Sequence, residues 1–379
     1  MYIVNVINSF VGKKGNIGAR CGHIIDNLNK ANIDNFSYSR GAVSAYVKNN
    51  INMSLSGHIP RLLNAYRIYL NSGYNHRKHD IYLFERFFFR NFVDSDNKHK
   101  VAHLWEFSPN IISFLKQKGY KIVLDIPIAP TATSFDIISR AGEDVGILPF
   151  RYNDKLERRC YEMSDHIISP SNFVTEELLQ IGVKKSKIST IYFGTNTNPI
   201  KKKYSKKYSS EGIDYCFAGN INKRKGVNIL LEAWNSDVFK NDRLHLCGRL
   251  YPEIKQLISN SRRGVILPGF VNTVEYFKKC DVYVFPSLLE GSSKSVYEAM
   301  SMSLPCIVTP NSGSIVQDEV DGFIVDVLDS EKLRSKMLSF KNNEKLIKSM
   351  GLMAFENVRN YSWERYSNSV VSLYSRLIN

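Results

Sequence analysis

Two glutamates separated by seven residues, Glu290 and Glu298, bracket Gly291-Ser292-Ser293-Lys294-Ser295-Val296-Tyr297. The text before them, Asp281–Ser287, reads as a strand that ends in the turn Phe285-Pro286-Ser287. A helix starting near Ser293 leaves Glu290 in the loop and puts Glu298 in its second turn. The unpaired N–H groups of a first helical turn, reinforced by the helix dipole, form an anion site. A phosphate docked there lies between the two carboxylates. Glu298 is then placed to accept hydrogen bonds from a ribose diol, and Glu290 to face a sugar.

A second junction of the same kind lies upstream. Phe217-Ala218-Gly219-Asn220-Ile221-Asn222-Lys223-Arg224-Lys225-Gly226 is a strand end, a glycine turn and a basic cluster before a helix near Val227. Arg224 offers a bidentate fork and Lys225 a point charge, and both suit a diphosphate. A solvated basic loop would read the same way in isolation, but the two junctions together favour the diphosphate. A third glycine loop, Gly12, Gly15 and Gly18 with Lys13, Lys14 and Arg20, follows the first strand and opens a helix. Backbone N–H groups there could approach an anionic ligand, or the loop could be an ordinary turn. Its G-x-x-G-x-x-G spacing is not that of a dinucleotide site, and no acidic residue ends an obvious second strand roughly twenty residues on, which argues against a dehydrogenase.

Alternating strands and helices must position these loops. Strand text covers Tyr2–Asn8, Val101–Trp105, Lys121–Ile126 and His166–Ser169, with helical text from the first glycine loop to about Lys30. A second series runs through Ile213–Ala218, Arg243–Cys247, Gly264–Leu267, Asp281–Phe285, Pro305–Val308 and Gly322–Val325. Between these strands lie helical stretches such as Val227–Trp234, Tyr251–Asn260, Thr273–Lys279 and Lys294–Met302. This alternation predicts parallel α/β sheets, twice over. The lysine-rich text at 201–207 lacks apolar periodicity and reads as a linker. The expectation is two doubly wound α/β domains, 1–200 and 201–360, and a terminal helix at 361–379. Ligands in such sheets bind beyond the carboxyl ends of the strands, so the cleft between domains should hold the chemistry.

Composition bounds the class and leaves an enzyme, a nucleic-acid binder and a membrane-surface protein open. The 379 residues include 51 basic and 36 acidic ones, a net charge of +15, with 43% hydrophobic and 12% aromatic residues. That excludes a disordered chain and a disulfide miniprotein, and the length suggests about two domains. Cys21, Cys160, Cys216, Cys247, Cys280 and Cys306 are scattered without metal-ligand spacing and read as buried thiols of a reducing compartment. No signal peptide and no transmembrane run is legible, so the expected location is cytoplasmic, with any membrane contact peripheral. Asp94-Ser95-Asp96 mimics a metal-binding D-x-D but lies in polar loop text. A P-loop, a G-x-S-x-G elbow and nucleic-acid-binding signatures are absent, so no nucleic-acid partner is expected. Asp80–Phe92 is strongly aromatic and follows the basic run His76-Arg77-Lys78-His79. It fits either a core helix with snorkelling arginines or a helix at an anionic membrane surface.

Most of the chain, and most strongly the stretch from about Ile213 to Val325, resembles the retaining glycosyltransferases of family 4, which have the GT-B architecture. The E-x7-E motif matches Glu290 and Glu298, and the basic glycine turn matches Gly219 to Gly226. Gly248 matches the family's nucleotide-side glycine, and Leu267-Pro268-Gly269-Phe270-Val271 its base-reading segment. Pro305–Gly313 and Asp321-Gly322-Phe323 match the following strand and turn. In the first half, Ser169–Phe173 and Ile191–Asn196 are similar to the segments that close that domain. The resemblance implies a terminal helix, 361–379, that packs back on the first domain, a UDP- or GDP-sugar donor as substrate, no cofactor, no essential metal and transfer with retention. It implies that Glu298 holds the ribose and Glu290 the donor sugar, while Arg224 or Lys225 neutralises the diphosphate. Gly219, Asn220, Gly226, Gly248, Phe270, Val271, Ser292, Ser293, Lys294 and Ser295 would complete the donor site.

Three departures from the family pattern stand out. Asn220 occupies a frequent arginine position, and Ser292-Ser293 replace an aromatic residue and a glycine. The histidine often found after a first-domain strand is missing beside Asp125. His103 and Asp125, with Gly12, Gly15 and Gly18, are the first-domain candidates for contact with sugar or acceptor. Asp125 could equally be a cap, and His103 a satisfied strand-end histidine. The expected acceptor is a lipid-linked saccharide of O-antigen or capsule synthesis. The alternative is a non-catalytic subunit that keeps the donor fold.

Overall fold

The computed structural model describes residues 1–13, 17–43, 45, 49–53, 76–142, 147–195, 212–261 and 264–379. Gly15 and the lysine-rich segment at 201–207 lie outside them. The first sheet contains β1 (Tyr2–Val11), β2 (Asp34–Ala42), β3 (Asn50–Asn52), β4 (Lys100–Leu104), β5 (Lys121–Asp125), β6 (His166–Ser169) and β7 (Ile188–Thr190). Their spatial order is β3-β2-β1-β4-β5-β6-β7, and every pairing is parallel. The second sheet holds β8 (Asp214–Ala218), β9 (Arg243–Cys247), β10 (Val265–Gly269), β11 (Val282–Phe285), β12 (Cys306–Val308) and β13 (Gly322–Ile324). Its order is β10-β9-β8-β11-β12-β13, again all parallel. Each sheet reverses strand order beside its first strand, which is where a doubly wound sheet opens a crevice.

The apolar runs explain the central strands. β8 and β11 are buried along their whole length, as strands covered by helices on both faces must be. The helices Val227–Trp234 and Lys294–Ser301 each bury one face, with Leu230, Trp234, Val296, Tyr297 and Met300 in the core of the second domain. The sequence misses β2, β3 and β7. β2 buries Asn35, Ser37, Ser39 and Arg40, and such polar residues hide a strand from a reading based on apolar periodicity.

The last helix, Trp363–Ile378, starts at Ser362, whose Oγ accepts from the Arg365 N–H. It leaves the second sheet and packs on the helix Ile17–Lys30. Tyr366, Val370, Leu373 and Tyr374 join Ile3, Ile7, Ile24 and Val123 in one core. All six cysteines are buried free thiols.

The domains meet at the carboxyl ends of their strands. A Cβ on Gly291 would lie 1.8 Å from the Pro127 carbonyl oxygen, and one on Gly313 would lie 2.9 Å from Ser171 Oγ. Leu289 is buried in the core of the first domain. The loop after β11 therefore sits directly on the loop after β5, and only glycine fits at position 291.

Candidate active site

The two junctions read from the sequence converge on one cavity of about 430 Å3 at the carboxyl ends of β8, β9 and β11. Arg224, Lys225, Glu290 and Glu298 all line it, together with Gly219, Asn220, Gly248, Phe270, Val271, Ser292, Ser293, Lys294 and Ser295. That volume falls within the range of small-ligand sites.

The basic side of the cavity is held rigidly. Asn222 Oδ1 accepts from the Lys225 N–H, and Leu288 donates its N–H to the Arg224 carbonyl over 2.9 Å. Arg224 Nη1 donates to the Leu289 carbonyl and to Glu290 Oε1, each over 2.7 Å. Lys225 Nζ also donates to Glu290 Oε1. Burial pulls the Lys225 ammonium below the usual lysine range; Arg224 adds to this and Glu290 opposes it. Across the cavity, Glu298 accepts from Thr273 Oγ1 over 2.8 Å and pairs with Lys294 Nζ at 3.4 Å. Ser293 precedes the helix Lys294–Ser301 but gives its hydroxyl to the Ser312 carbonyl, so no side chain caps the first-turn amides. These uncapped amides and Lys294 form the anion-attracting wall. Ser292 Oγ shares a hydrogen bond with Tyr297 Oη, and Tyr283 Oη donates to Ser295 Oγ. Phe270 projects from the rim with 83% of its surface exposed, a platform to which a planar ring can dock.

Not every sequence candidate reaches this cavity. Gly226 serves the backbone instead of a ligand. Its φ is +69° and its Cβ would meet the Pro286 carbonyl at 1.9 Å, so it locks two loops together. Gly12 donates its N–H to the Gly18 carbonyl, and Gly18 is buried in the first helix; Gly15 is not described. The structure also corrects the placement of His103 and Asp125. Both side chains are fully buried and bond to the last helix, out of reach of a sugar in the cleft. Asp125 Oδ1 pairs with Arg20 Nη1 at 2.7 Å, and its Oδ2 accepts from Tyr366 Oη over 3.2 Å. His103 stacks on Trp105 and hydrogen-bonds Tyr374 Oη through Nδ1, while its Nε2 lies 3.4 Å from Asp125. Burial alone would raise the Asp125 carboxyl, but the Arg20 charge and the neighbouring His103 and Tyr366 outweigh it and hold it below the usual range. Burial keeps His103 below its ordinary value. Asp94 of the D-x-D text accepts from Lys100 Nζ at the start of β4 and from Tyr120 Oη just before β5.

Sequence reasoning missed Thr273 and Ser287, and it offered Arg20 to an anionic ligand, whereas its side chain is buried against Asp125. Thr273 opens the helix Thr273–Phe277 just after the Leu267–Val271 segment, and that position was the available signal. Arg20 shares the buried face of its helix with Cys21, Ile24 and Ile25, where a charge demands a partner.

Two family models match separate parts of the chain. One, described as Glycosyltransferase Family 4, matches residues 64–199, and the other, Glycosyl transferases group 1, matches residues 213–343. The chain is 30% identical over 220 residues to an uncharacterised glycosyltransferase of Methanocaldococcus jannaschii, a match covering 56% of this chain and 60% of that protein. It is 31% identical over 105 residues to the UDP-Gal:alpha-D-GlcNAc-diphosphoundecaprenol alpha-1,3-galactosyltransferase of Escherichia coli, covering 26% of this chain and 27% of that one. The chain thus spans less than two thirds of these curated relatives. Among solved structures, sucrose-phosphate synthase from Thermosynechococcus elongatus superposes with a TM-score of 0.69 at 16% identity, over 100% of this chain and 99% of that one.

Proposed function

Because the chain belongs to the glycosyltransferases that these two models describe, and has their GT-B fold, we propose that it moves a hexose-type sugar from a UDP- or GDP-sugar to a saccharide acceptor with retention of configuration. The observation that carries this is the convergence of Arg224, Lys225, Glu290, Glu298 and an uncapped helix start on one cavity. Glu298 takes the ribose hydroxyls and Phe270 lies against the base. The diphosphate lies between Lys225, Arg224 and the amides at the start of the helix Lys294–Ser301.

In the transfer step the bond from the anomeric carbon to the phosphate oxygen breaks, and its electron pair stays on the diphosphate. The acceptor oxygen bonds the same face of the sugar and gives its proton to that departing oxygen. Negative charge grows on the diphosphate as the bond breaks, so fixed cations there lower the barrier directly. Arg224 and Lys225 supply that charge in this reading, and no step requires a metal ion.

Thermal shift across a panel of UDP- and GDP-sugars tests the donor assignment, because a bound donor raises the melting temperature by mass action. One base should stabilise the chain, and its sugar conjugates should be turned over. Stabilisation without any turnover would instead support a donor-binding scaffold.

The acceptor in this reading is a lipid-linked saccharide of O-antigen or capsule synthesis, met on the cytoplasmic face of the inner membrane. Two observations support it: the diphosphoundecaprenol in the Escherichia coli relative's name, and one helix of the first domain. No helix among the described residues is long and apolar enough to cross a membrane. The helix His76–Asn91, however, buries Ile81, Phe84 and Phe88 while Tyr82, Phe89 and the following Val93 stay exposed beside Arg86 and Arg90. Aromatic and basic residues on one outward face suit an anionic interface. We expect binding to vesicles containing anionic lipid that weakens as salt rises, and loss of it in a Tyr82→Ser, Phe89→Ser double variant. No sedimentation with vesicles at low salt removes the membrane part of the proposal.

A further inference from the structure

We propose that Glu290 is a built-in competitor of the donor's diphosphate, and that its return to Arg224 and Lys225 expels the nucleoside diphosphate after transfer. This rests on the donor-site reading above and deepens it.

One carboxylate oxygen carries the argument. Glu290 Oε1 accepts from Arg224 Nη1 at 2.7 Å and from Lys225 Nζ, with Ser287 Oγ at 3.4 Å. Three donors aimed at one anionic oxygen is the arrangement a phosphate oxygen would take. The Glu290 and Lys225 side chains are only 15% and 12% exposed, so water screens the contact weakly. A diphosphate entering the cavity meets these cations already engaged by the carboxylate and competes with it for them, because two anions within about 4 Å of each other repel strongly in a partly dry site. Donor binding therefore exchanges one anion for another of higher charge.

The backbone limits what has to move in that exchange. The Glu290 N–H donates to the Asn311 carbonyl, and Asn311 Nδ2 to the Leu288 carbonyl. Leu288 in turn bonds Arg224. Gly291 is wedged against Pro127. The loop is pinned on both sides, so rotation of the Glu290 side chain suffices. Swung away from the cations, its carboxylate accepts hydroxyls of the donor sugar. Once the sugar has left with the acceptor, those partners are gone and the carboxylate competes for Arg224 and Lys225 again. The residue thus has one partner set before and after transfer, and another during it.

The rival view makes Glu290 a permanent counter-charge that orients Arg224 and Lys225. The two views predict opposite signs. Titration calorimetry with UDP, GDP, uridine and guanosine, on the wild type, Glu290→Gln, Lys225→Ala and the double variant, separates them. We expect Glu290→Gln to bind the preferred nucleoside diphosphate roughly tenfold tighter, the worth of a charge-assisted contact discounted for partial exposure. Affinity for the nucleoside alone should stay the same. Lys225→Ala should cost more affinity in the Glu290→Gln background than in the wild type, because the lysine then has no competing anion. Glu290→Asp, whose carboxylate is one methylene shorter, should move in the same direction. Unchanged or weaker diphosphate affinity in both Glu290 variants overturns the proposal. If neither UDP nor GDP binds the wild type, or Lys225→Ala leaves their affinity unchanged, the donor-site reading itself fails.

Discussion

Lys225→Ala should lower kcat/KM for sugar transfer roughly 10²–10³-fold, the usual cost of removing one fixed donor from a site where charge develops. Nucleotide binding alone should weaken by less, about 1.5–3 kcal/mol for a charge-assisted bond. In the proposed site the difference arises because the diphosphate carries more charge at its bridging oxygen in the transition state than in the ground state, and Lys225 would sit where that charge appears. Burial lowers the Lys225 pKa, so transfer should decline at alkaline pH earlier than an ordinary lysine would dictate, as the ammonium loses its proton. Lys225→Arg should move that alkaline limb to higher pH, because a guanidinium stays charged there. A steady-state pH profile of the two enzymes checks this. An alkaline limb at the same pH in both assigns the titration to another group.

Asp125→Ala should destabilise the fold by about 3–5 kcal/mol, because it leaves the buried Arg20 guanidinium without its counter-ion. The loss spreads beyond one domain. Asp125 also receives the Tyr366 hydroxyl from the last helix, and Tyr374 of that helix bonds His103. Two residues beyond Asp125 lies Pro127, which abuts Gly291. The network therefore anchors the last helix and the loop on which the Glu290 loop rests.

The pH dependence follows from the two pKa directions. The Asp125 carboxyl is depressed in the folded state. Its contribution is full above its unfolded value of about 4 and is lost as pH falls through the lower folded value. His103 is also depressed, so the folded state resists its protonation and stability declines as pH falls below about 6.5. Both groups make acidification destabilising, and His103 acts first. Chemical denaturation of the wild type and Asp125→Ala at neutral pH reads the difference, and a loss under about 1 kcal/mol would place Arg20 in a better-solvated site than its burial indicates.

The sequence exposes the second domain far better than the first. β9 and the helix Val227–Trp234 carry the residue ranges read from apolar patterning, since both are bounded by turn residues and are apolar inside. β2 defeats the same reading, because Asn35, Ser37, Ser39 and Arg40 are buried polar residues, and the last three meet Asn5, Asn50 and Asp80 on other elements, contacts no local pattern displays. The site shows the same contrast. Glu290 and Glu298 are legible because a strand, a turn and a helix start are local features. His103 and Asp125 are legible as residues able to do chemistry, but their partners Arg20, Tyr366 and Tyr374 lie as much as 271 residues away in the chain. Spacing along the sequence cannot show that the last helix returns to cover them. Gly291 illustrates the limit from the other side. It reads as a turn glycine, whereas the demand on it comes from the Pro127 carbonyl of the opposite domain.

In the proposed function the cavity between Lys225 and Glu298 receives a nucleoside diphosphate-sugar. A crystal structure of the chain with the stabilising nucleoside diphosphate tests it most directly. Phosphate oxygens should lie within hydrogen-bond distance of Lys225 Nζ and the first amides of the helix Lys294–Ser301, with the ribose on Glu298 and the Glu290 carboxylate turned away from Arg224 and Lys225. A nucleotide bound elsewhere, or bound here with its phosphates in solvent and Glu290 still on Lys225, would contradict it.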